Sequence, residues 1–269
     1  MDSTQSVERP ATPGRVEPVV VRLSPSVTII RGDCRDVLPV ECDAVVTDPP
    51  YGMKWNIKRE RHKSPSSIKS SGGVYGREWG GIHGDDAAFD PSLLLGIGKP
   101  LVTWGANHYA SRLPDSPGWL IWDKKRGGTA GRGFTGSDCE LAWCSETGDC
   151  TAIFCLYWDG FRRDCEVGDH FHPTQKPVAL MSWCMEQARV PEGATVLDPY
   201  MGSGTTGIAC IRTGRKFIGI EIDAAHFATA RARLEKELRQ GLLPLTHNAS
   251  SGDLHNTRAL SAQKEVGRG

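Results

Sequence analysis

No apolar run in this 269-residue chain is long enough to cross a membrane, so no membrane association is expected. No C-x-x-C pair occurs among the nine cysteines. Five of them (Cys139, Cys144, Cys150, Cys155 and Cys165) do fall close together. Without paired-ligand spacing, buried free thiols are a better reading of that cluster than zinc, and no metal is expected. The odd cysteine number, with no leader-like segment ahead of it, argues against a disulfide framework and for a reducing, cytoplasmic setting. There is also no excess charge of either sign: the net charge is +0. Any nucleic-acid partner would have to be held by a local basic face. A Walker phosphate loop is missing as well: the G-x-x-x-x-G-K-[ST] pattern with its lysine does not occur. Gly202, Gly204 and Gly207 do stand at G-x-G-x-x-G spacing, but an acid precedes them, unlike a dinucleotide site.

The remaining composition is ordinary for a globular chain, with 39% hydrophobic and 24% charged residues, and the length suits one large domain. Residues 1–24 mix Pro, Ser, Glu and Arg without periodicity and read as a loose tail, as do the polar residues 242–269. Between them, 25–241 form the expected domain. Short runs rich in β-branched and aromatic residues predict strands at Val27–Ile30, Ala44–Thr47, Leu101–Gly105, Trp119–Trp122, Glu140–Trp143, Ala152–Phe154, Thr195–Leu197 and Phe217–Ile220. Helical runs are predicted after Ala106, from Pro177 to about Ala188, from Thr205 to about Thr213, and after Asp223, the last capped by that aspartate.

Asp48-Pro49-Pro50-Tyr51-Gly52 follows the Ala44–Thr47 run directly. Two prolines cannot continue a sheet, so the motif is a stiff turn at the carboxyl edge of a strand, where ligands bind in open α/β sheets. Alone it is as readily a turn that ends a strand. Asp33 stands similarly after Val27–Ile30, and by itself is read more readily as a cap for the segment from Cys34 than as a ligand group. Beyond the Asp48 turn lies a basic run in which Lys54, Lys58, Arg59, Arg61, Lys63 and Lys69 face Glu60 alone. Lys124-Lys125-Arg126 opens a second basic, Gly-rich stretch. Each is either a solvated loop or a set of phosphate contacts.

The clearest pattern lies downstream. Thr195-Val196-Leu197 leads into Asp198-Pro199-Tyr200-Met201-Gly202-Ser203-Gly204 and then a helix from Thr205. Strand, glycine loop and helix together let backbone approach a ligand and point helix N–H groups at an anion. Glu221 comes 17 residues after Gly204 at the end of the next strand, near the distance at which such an acid reaches a ribose.

Asp-Pro-Pro-Tyr at 48–51, His172-Pro173-Thr174-Gln175-Lys176-Pro177, and Asp-Pro-Tyr-Met-Gly-Ser-Gly at 198–204, in that order, resemble the S-adenosylmethionine-dependent DNA amino-methyltransferases of the permuted β class. These enzymes methylate adenine N6 or cytosine N4. The resemblance runs from about Thr28 to Leu238. It implies an α/β, Rossmann-like methyltransferase fold with a seven-stranded, mostly parallel sheet and a circularly permuted motif order, placing Asp48 and Asp198 at the ends of adjacent strands. It implies S-adenosylmethionine as cofactor. Asp198, Gly202, Ser203 and Gly204 would then lie along its methionine and sugar, Glu221 at the ribose and Asp33 at the adenine, with Cys34, Thr205 and Ile222 also among the cofactor-binding residues. Thr174 and Lys176 would hold the methionine carboxylate.

Asp48, Pro49, Pro50 and Tyr51 would form the catalytic pocket for a flipped base, most readily adenine, because cytosine-directed relatives more often carry Ser at the Asp48 position. Lys54, Lys58, Arg59, Arg61, Lys124, Lys125 and Arg126 would contact double-stranded DNA. With little room for a separate recognition domain, DNA reading would fall to loops 54–85, 124–137 and 157–171, which suggests a short site or a homodimer. The resemblance also admits a cognate restriction endonuclease as partner, in a bacterial cell or phage-infected host. Cytosine N4, an RNA amine, a protein glutamine and a catalytically silent DNA-binding regulator stay open as alternatives. The protein-directed relatives favour Asn at the Asp48 position.

Overall fold

The structure, a computed structural model, describes residues 17–53, 83–97, 100–116, 118–125, 137–146, 151–158, 166 and 175–242. The strands are β1 (Val19–Ser24), β2 (Val27–Arg31), β3 (Ala44–Thr47), β4 (Leu101–Trp104), β5 (Trp119–Asp123), β6 (Cys139–Cys144), β7 (Ala152–Cys155), β8 (Thr195–Asp198) and β9 (Lys216–Glu221). They form one sheet in the order β1-β2-β9-β8-β3-β4-β6-β5-β7. Its central pairs, β2 with β9, β9 with β8, β8 with β3 and β3 with β4, are all parallel. Antiparallel pairing is confined to β1 with β2 and to the contacts of β6 with β4 and β5.

The sheet therefore has nine strands, where seven were expected. Eight of the nine, the edge strand β7 included, fall on the runs predicted above; the other edge, β1, lies inside the segment read as a loose tail. Its Val19 and Val20 are 44% and 64% exposed, so β1 lacks the alternation that marks a half-buried strand. What forms it is pairing: Val19 to Ser24 run against Arg31 to Val27, with an irregularity between Arg22 and Ser24.

Alternate residues of the central strands feed two cores. Val27, Ile29, Val46 and Val196 point to one face, where they meet α3 (Val178–Gln187), α4 (Thr205–Arg212) and α5 (Ala224–Leu242). Ile30, Val45, Leu197 and Ile220 point to the other, against α1 (Cys34–Val37), α2 (Ser92–Leu95) and Tyr109. Both faces being covered is why β3 reads as an unbroken apolar run whose four residues are all buried. On α3, Leu180 is fully buried. Trimming such a leucine to alanine costs about 2–5 kcal/mol.

The predicted helix after Ala106 is instead two single 3-10 turns, Ala106–His108 and Ala110–Arg112. Tyr109 separates them at φ −136° because its hydroxyl is drawn into the core. There it donates to the Trp104 carbonyl at 2.6 Å and lies 2.7 Å from Thr103 Oγ1.

Candidate active site

β3 and β8 are parallel neighbours, and their carboxyl ends release Asp48 and Asp198 side by side. Asp198 is 2% exposed. It accepts from Thr47 Oγ1 at 2.7 Å, Thr206 Oγ1 at 2.6 Å and the Tyr200 N–H at 3.1 Å. One carboxylate thus ties β3 and the glycine loop to α4. Burial pushes its pKa up to about 6 in spite of these donors. Gly204, the residue ahead of α4, has φ 81°, a left-handed conformation that glycine adopts without strain. Behind the loop, Arg233 donates to the Ser203 carbonyl at 2.6 Å and to Ser203 Oγ at 2.9 Å. No sequence motif announced that buried arginine.

Glu221 closes β9. Its two oxygens accept from the Gly202 N–H at 2.9 Å and the Asp223 N–H at 2.8 Å, so the acid fixes the glycine loop as well as facing the ligand space. Burial raises its pKa to about 7. Asp33 takes the capping role. It caps α1 through the Arg35 N–H at 2.9 Å, and it lines the same cavity as Glu221. The Arg35 guanidinium grips its carboxylate and holds its pKa below the usual range.

That cavity has a volume of about 950 Å³. Asp33, Cys34, Gly202, Glu221 and Ile222 form one side and Asp48, Pro49, Pro50 and Tyr51 another. A smaller space of about 60 Å³ shares Asp48, Tyr200 and Gly202 with it and reaches Lys176, Asp198, Ser203 and Thr205. The described members of the predicted cofactor and target-base sets, Gly204 excepted, therefore line two adjoining spaces. Thr174 falls outside the described residues, as do Lys54, Lys58, Arg59, Arg61 and Arg126.

The Asp48 turn is built by residues the sequence reading did not single out. Asp85 is 5% exposed and accepts from the N–H groups of Gly52 at 2.8 Å and Met53 at 3.0 Å, pinning the turn's far end. Gly105, at φ 67°, leaves room for the Tyr51 ring: a Cβ there would lie 1.9 Å from Tyr51 Cε1. His108 stacks on that ring, with centroids 5.1 Å apart and planes 14° from parallel. The Tyr51 hydroxyl donates to Asp48 Oδ1.

Lys176 departs from the expected arrangement. The resemblance implies a methionine carboxylate as its partner, whereas here its ammonium is 2.6 Å from Asp48 Oδ2 and 3.1 Å from Glu140 Oε2. At 6% exposure it gains most by sitting between two carboxylates of the chain itself. Lys124 likewise turns to Glu140 Oε1 at 2.7 Å, and Lys125 to Asp138, so both ammonium groups expected at DNA phosphates already have carboxylate partners. Burial raises the Asp48 pKa, with Lys176 opposing. Burial would raise Glu140 too, but Lys176 and Lys124 bring it down to about 2. The Tyr51 phenol is raised by burial and by Asp48.

The seven described cysteines carry free thiols, and among the described residues no group of His, Cys, Asp and Glu is arranged to hold a metal ion. No described helix is long and apolar enough to cross a membrane.

Sheet order and site together define a Rossmann-like methyltransferase fold. Residues 118–232 match the DNA methylase family, a span that takes in Glu140, Lys176, Asp198 and Glu221 but not Asp33 or Asp48. Among curated relatives, the Type II methyltransferase M2.DpnII of Streptococcus pneumoniae is 48% identical over 66 residues, 24% of each chain. The Type II methyltransferase M2.LlaDCHI of Lactococcus lactis subsp. cremoris is 44% identical over 71 residues, 26% of each. The chain thus spans about a quarter of the length of these relatives. The solved PvuII DNA methyltransferase (cytosine-N4-specific) shares the fold at a TM-score of 0.50 and 14% identity, over 80% of this chain and 90% of that one. These findings bear out the resemblance read from the sequence: the chain is similar to S-adenosylmethionine-dependent DNA amino-methyltransferases.

Proposed function

We propose that this protein transfers a methyl group from S-adenosylmethionine to the exocyclic amine of a base in DNA, adenine N6 in preference to cytosine N4. The observation that carries the reading is the shared cavity. Glu221 enters it from the end of β9 and Asp48 from the end of β3, with the Asp198-braced glycine loop between them. Its volume of about 950 Å³ lies at the upper end of the roughly 300–1,000 Å³ usual for small-molecule sites. The residues present suit the cofactor. The Glu221 carboxylate keeps lone pairs for ribose hydroxyls beside its two backbone donors, and Asp33 and Ile222 line the wall nearby.

When bound, S-adenosylmethionine would supply an electrophilic methyl group and keep the electron pair of the broken S–C bond as a neutral thioether. The chain's residues act on the amine. An exocyclic amine is a weak nucleophile because its lone pair is delocalised into the ring. Asp48, accepting one N–H, and the Pro49 carbonyl, accepting the other, favour a tetrahedral nitrogen whose lone pair is free to attack. The proton released as the N–C bond forms passes to Asp48. Acceptors already in place reduce the reorganisation the reaction needs. The target base would leave the duplex to reach this pocket. His108 covers one face of the Tyr51 ring, so a base would use the ring's remaining surface.

The preference for adenine rests on the acid at position 48. The basic run 54–69 is the proposed phosphate contact on double-stranded DNA. By likeness to the two relatives named Type II methyltransferases, the proposal includes a cognate restriction endonuclease. The test is incubation of the protein with methyl-labelled S-adenosylmethionine and mixed-sequence DNA, followed by nucleoside analysis. N6-methyladenine is expected. N4-methylcytosine would move the target, and no incorporation into DNA would overturn the reading.

A further inference from the structure

Glu140 opens no motif, and its neighbours Leu141, Ala142 and Trp143 read as an ordinary strand. On β6 it nevertheless reaches the Asp48 cluster. We propose that Glu140 is a positioning residue for Asp48: it offers the Lys176 ammonium a second acceptor, so that Lys176 leaves Asp48 when the target amine arrives. This rests on the amino-methyltransferase reading given above.

Both Asp48 oxygens carry a donor here, Tyr51 Oη on Oδ1 and Lys176 Nζ on Oδ2, the latter at 2.6 Å. The target amine is a donor too. Against a buried ammonium it competes poorly for Oδ2, because a charge-assisted bond is stronger than a neutral one. Lys176 is 6% exposed, so it gives up Asp48 only if another anion is within reach. Glu140 Oε2 is that anion, already 3.1 Å from Lys176 Nζ. It makes an ion pair there without an aligned hydrogen bond, which leaves a stronger contact to be gained. Glu140 is itself tethered through Oε1 to Lys124 at 2.7 Å, so its charge stays in place whichever way Lys176 turns. The cluster holds two carboxylates and two ammonium groups and is neutral in both positions of the lysine. The groups whose charge or hydroxyl faces Asp48 are Lys176, Glu140 and Tyr51, with Tyr109 and Asp198 further off.

Replacing Glu140 with Gln keeps the shape and removes the charge, leaving Lys176 to Asp48 alone. In single-turnover methyl transfer at saturating cofactor, Glu140→Gln is expected to be slower by about 10- to 100-fold, the cost of a misplaced reacting group. Cofactor affinity should stay within about twofold, since Glu221 and the glycine loop are untouched. Glu140→Asp keeps the charge on a shorter arm and should recover part of the rate. If Glu140→Gln does not fold, a wild-type rate in Glu140→Asp with Lys124→Met, which both shortens and unties the acid, overturns the proposal.

The readout that a merely structural acid would not move is the titration of Asp48, followed by NMR of the protein with ¹³C at the aspartate carboxyl carbons. Loss of the neighbouring negative charge should shift it to lower pH in Glu140→Gln. A wild-type rate in Glu140→Gln, or a slow variant with the Asp48 titration unmoved, overturns the proposal. If wild-type protein methylates no DNA, the functional reading fails on its own, and an unmoved Asp48 titration then removes Glu140's role as well.

Discussion

Thr47 donates a hydrogen bond to Asp198 at 2.7 Å across 151 positions of sequence. Beyond the backbone pairing of β3 with β8, this contact ties the strand that ends in the Asp48 turn to the strand that ends in the glycine loop by a side-chain brace. Thr47→Val is nearly isosteric and removes the donor, leaving a buried carboxylate short of a partner. It should destabilise the fold by about 1–3 kcal/mol. Urea denaturation at pH 7 measures this, and an unchanged midpoint would show that water or a rearranged Thr206 replaces the bond.

The pH dependence of stability follows from the two raised carboxylates. Asp198 titrates at about 6 and Glu221 at about 7 in the fold, above their ordinary values. Their contribution to stability is therefore full below the ordinary carboxylate range and is lost as pH rises through 6 to 7. For Glu221 the loss is on the order of 3 kcal/mol. Glu140, held down to about 2, runs the other way and loses its contribution only in strong acid. Glu221→Gln cannot titrate. Relative to wild type it should gain stability between pH 5 and pH 8, as read from denaturation midpoints; parallel curves would mean that Glu221 ionises normally.

Cofactor binding should carry the same proton. Ribose hydroxyls donate to an ionised Glu221, so binding favours the carboxylate and releases a proton near neutrality. S-adenosylmethionine affinity should improve from pH 6 to pH 8, by up to about tenfold per pH unit at the steepest. Calorimetry in buffers of different ionisation enthalpy reports the proton directly. Glu221→Ala should lose on the order of 1.5–3 kcal/mol of affinity. Unchanged affinity removes Glu221 from the cofactor site.

The central sheet could be read from sequence because β2, β3, β8 and β9 are buried on both faces, and that burial writes itself as short β-branched runs. The glycine loop showed through its spacing. Other elements left no such trace. β1 exposes its valines and exists only by pairing with β2. Asp85 reaches the Asp48 turn from more than 30 positions away, a relation that no local pattern encodes. Lys176 was noticed within a motif, but its partner could not be read there. That partner depends on β6 lying beside β4, which brings Glu140 within 3.1 Å of the lysine. A charged side chain can be seen in a sequence, but the charge opposite it is set by topology.

Asp48 carries the last prediction. Its carboxylate is proposed to gain its contact with the amine chiefly as the nitrogen becomes tetrahedral, so removing the charge should act on turnover more than on binding. Asp48→Asn keeps the size and one acceptor oxygen. Its amide can present a donor where an acceptor is needed, and it cannot take the released proton. Lys176 would then turn wholly to Glu140, which lies 3.1 Å from it in the present structure, so the fold should tolerate the change. The rate should fall by about 10²–10³-fold. Cofactor affinity should stay near wild type, because Asp33 and Glu221 keep their places across the cavity. Single-turnover methyl transfer into DNA, with cofactor binding measured separately, tests both halves. A variant that binds normally and transfers at the wild-type rate would put the reacting amine somewhere other than Asp48.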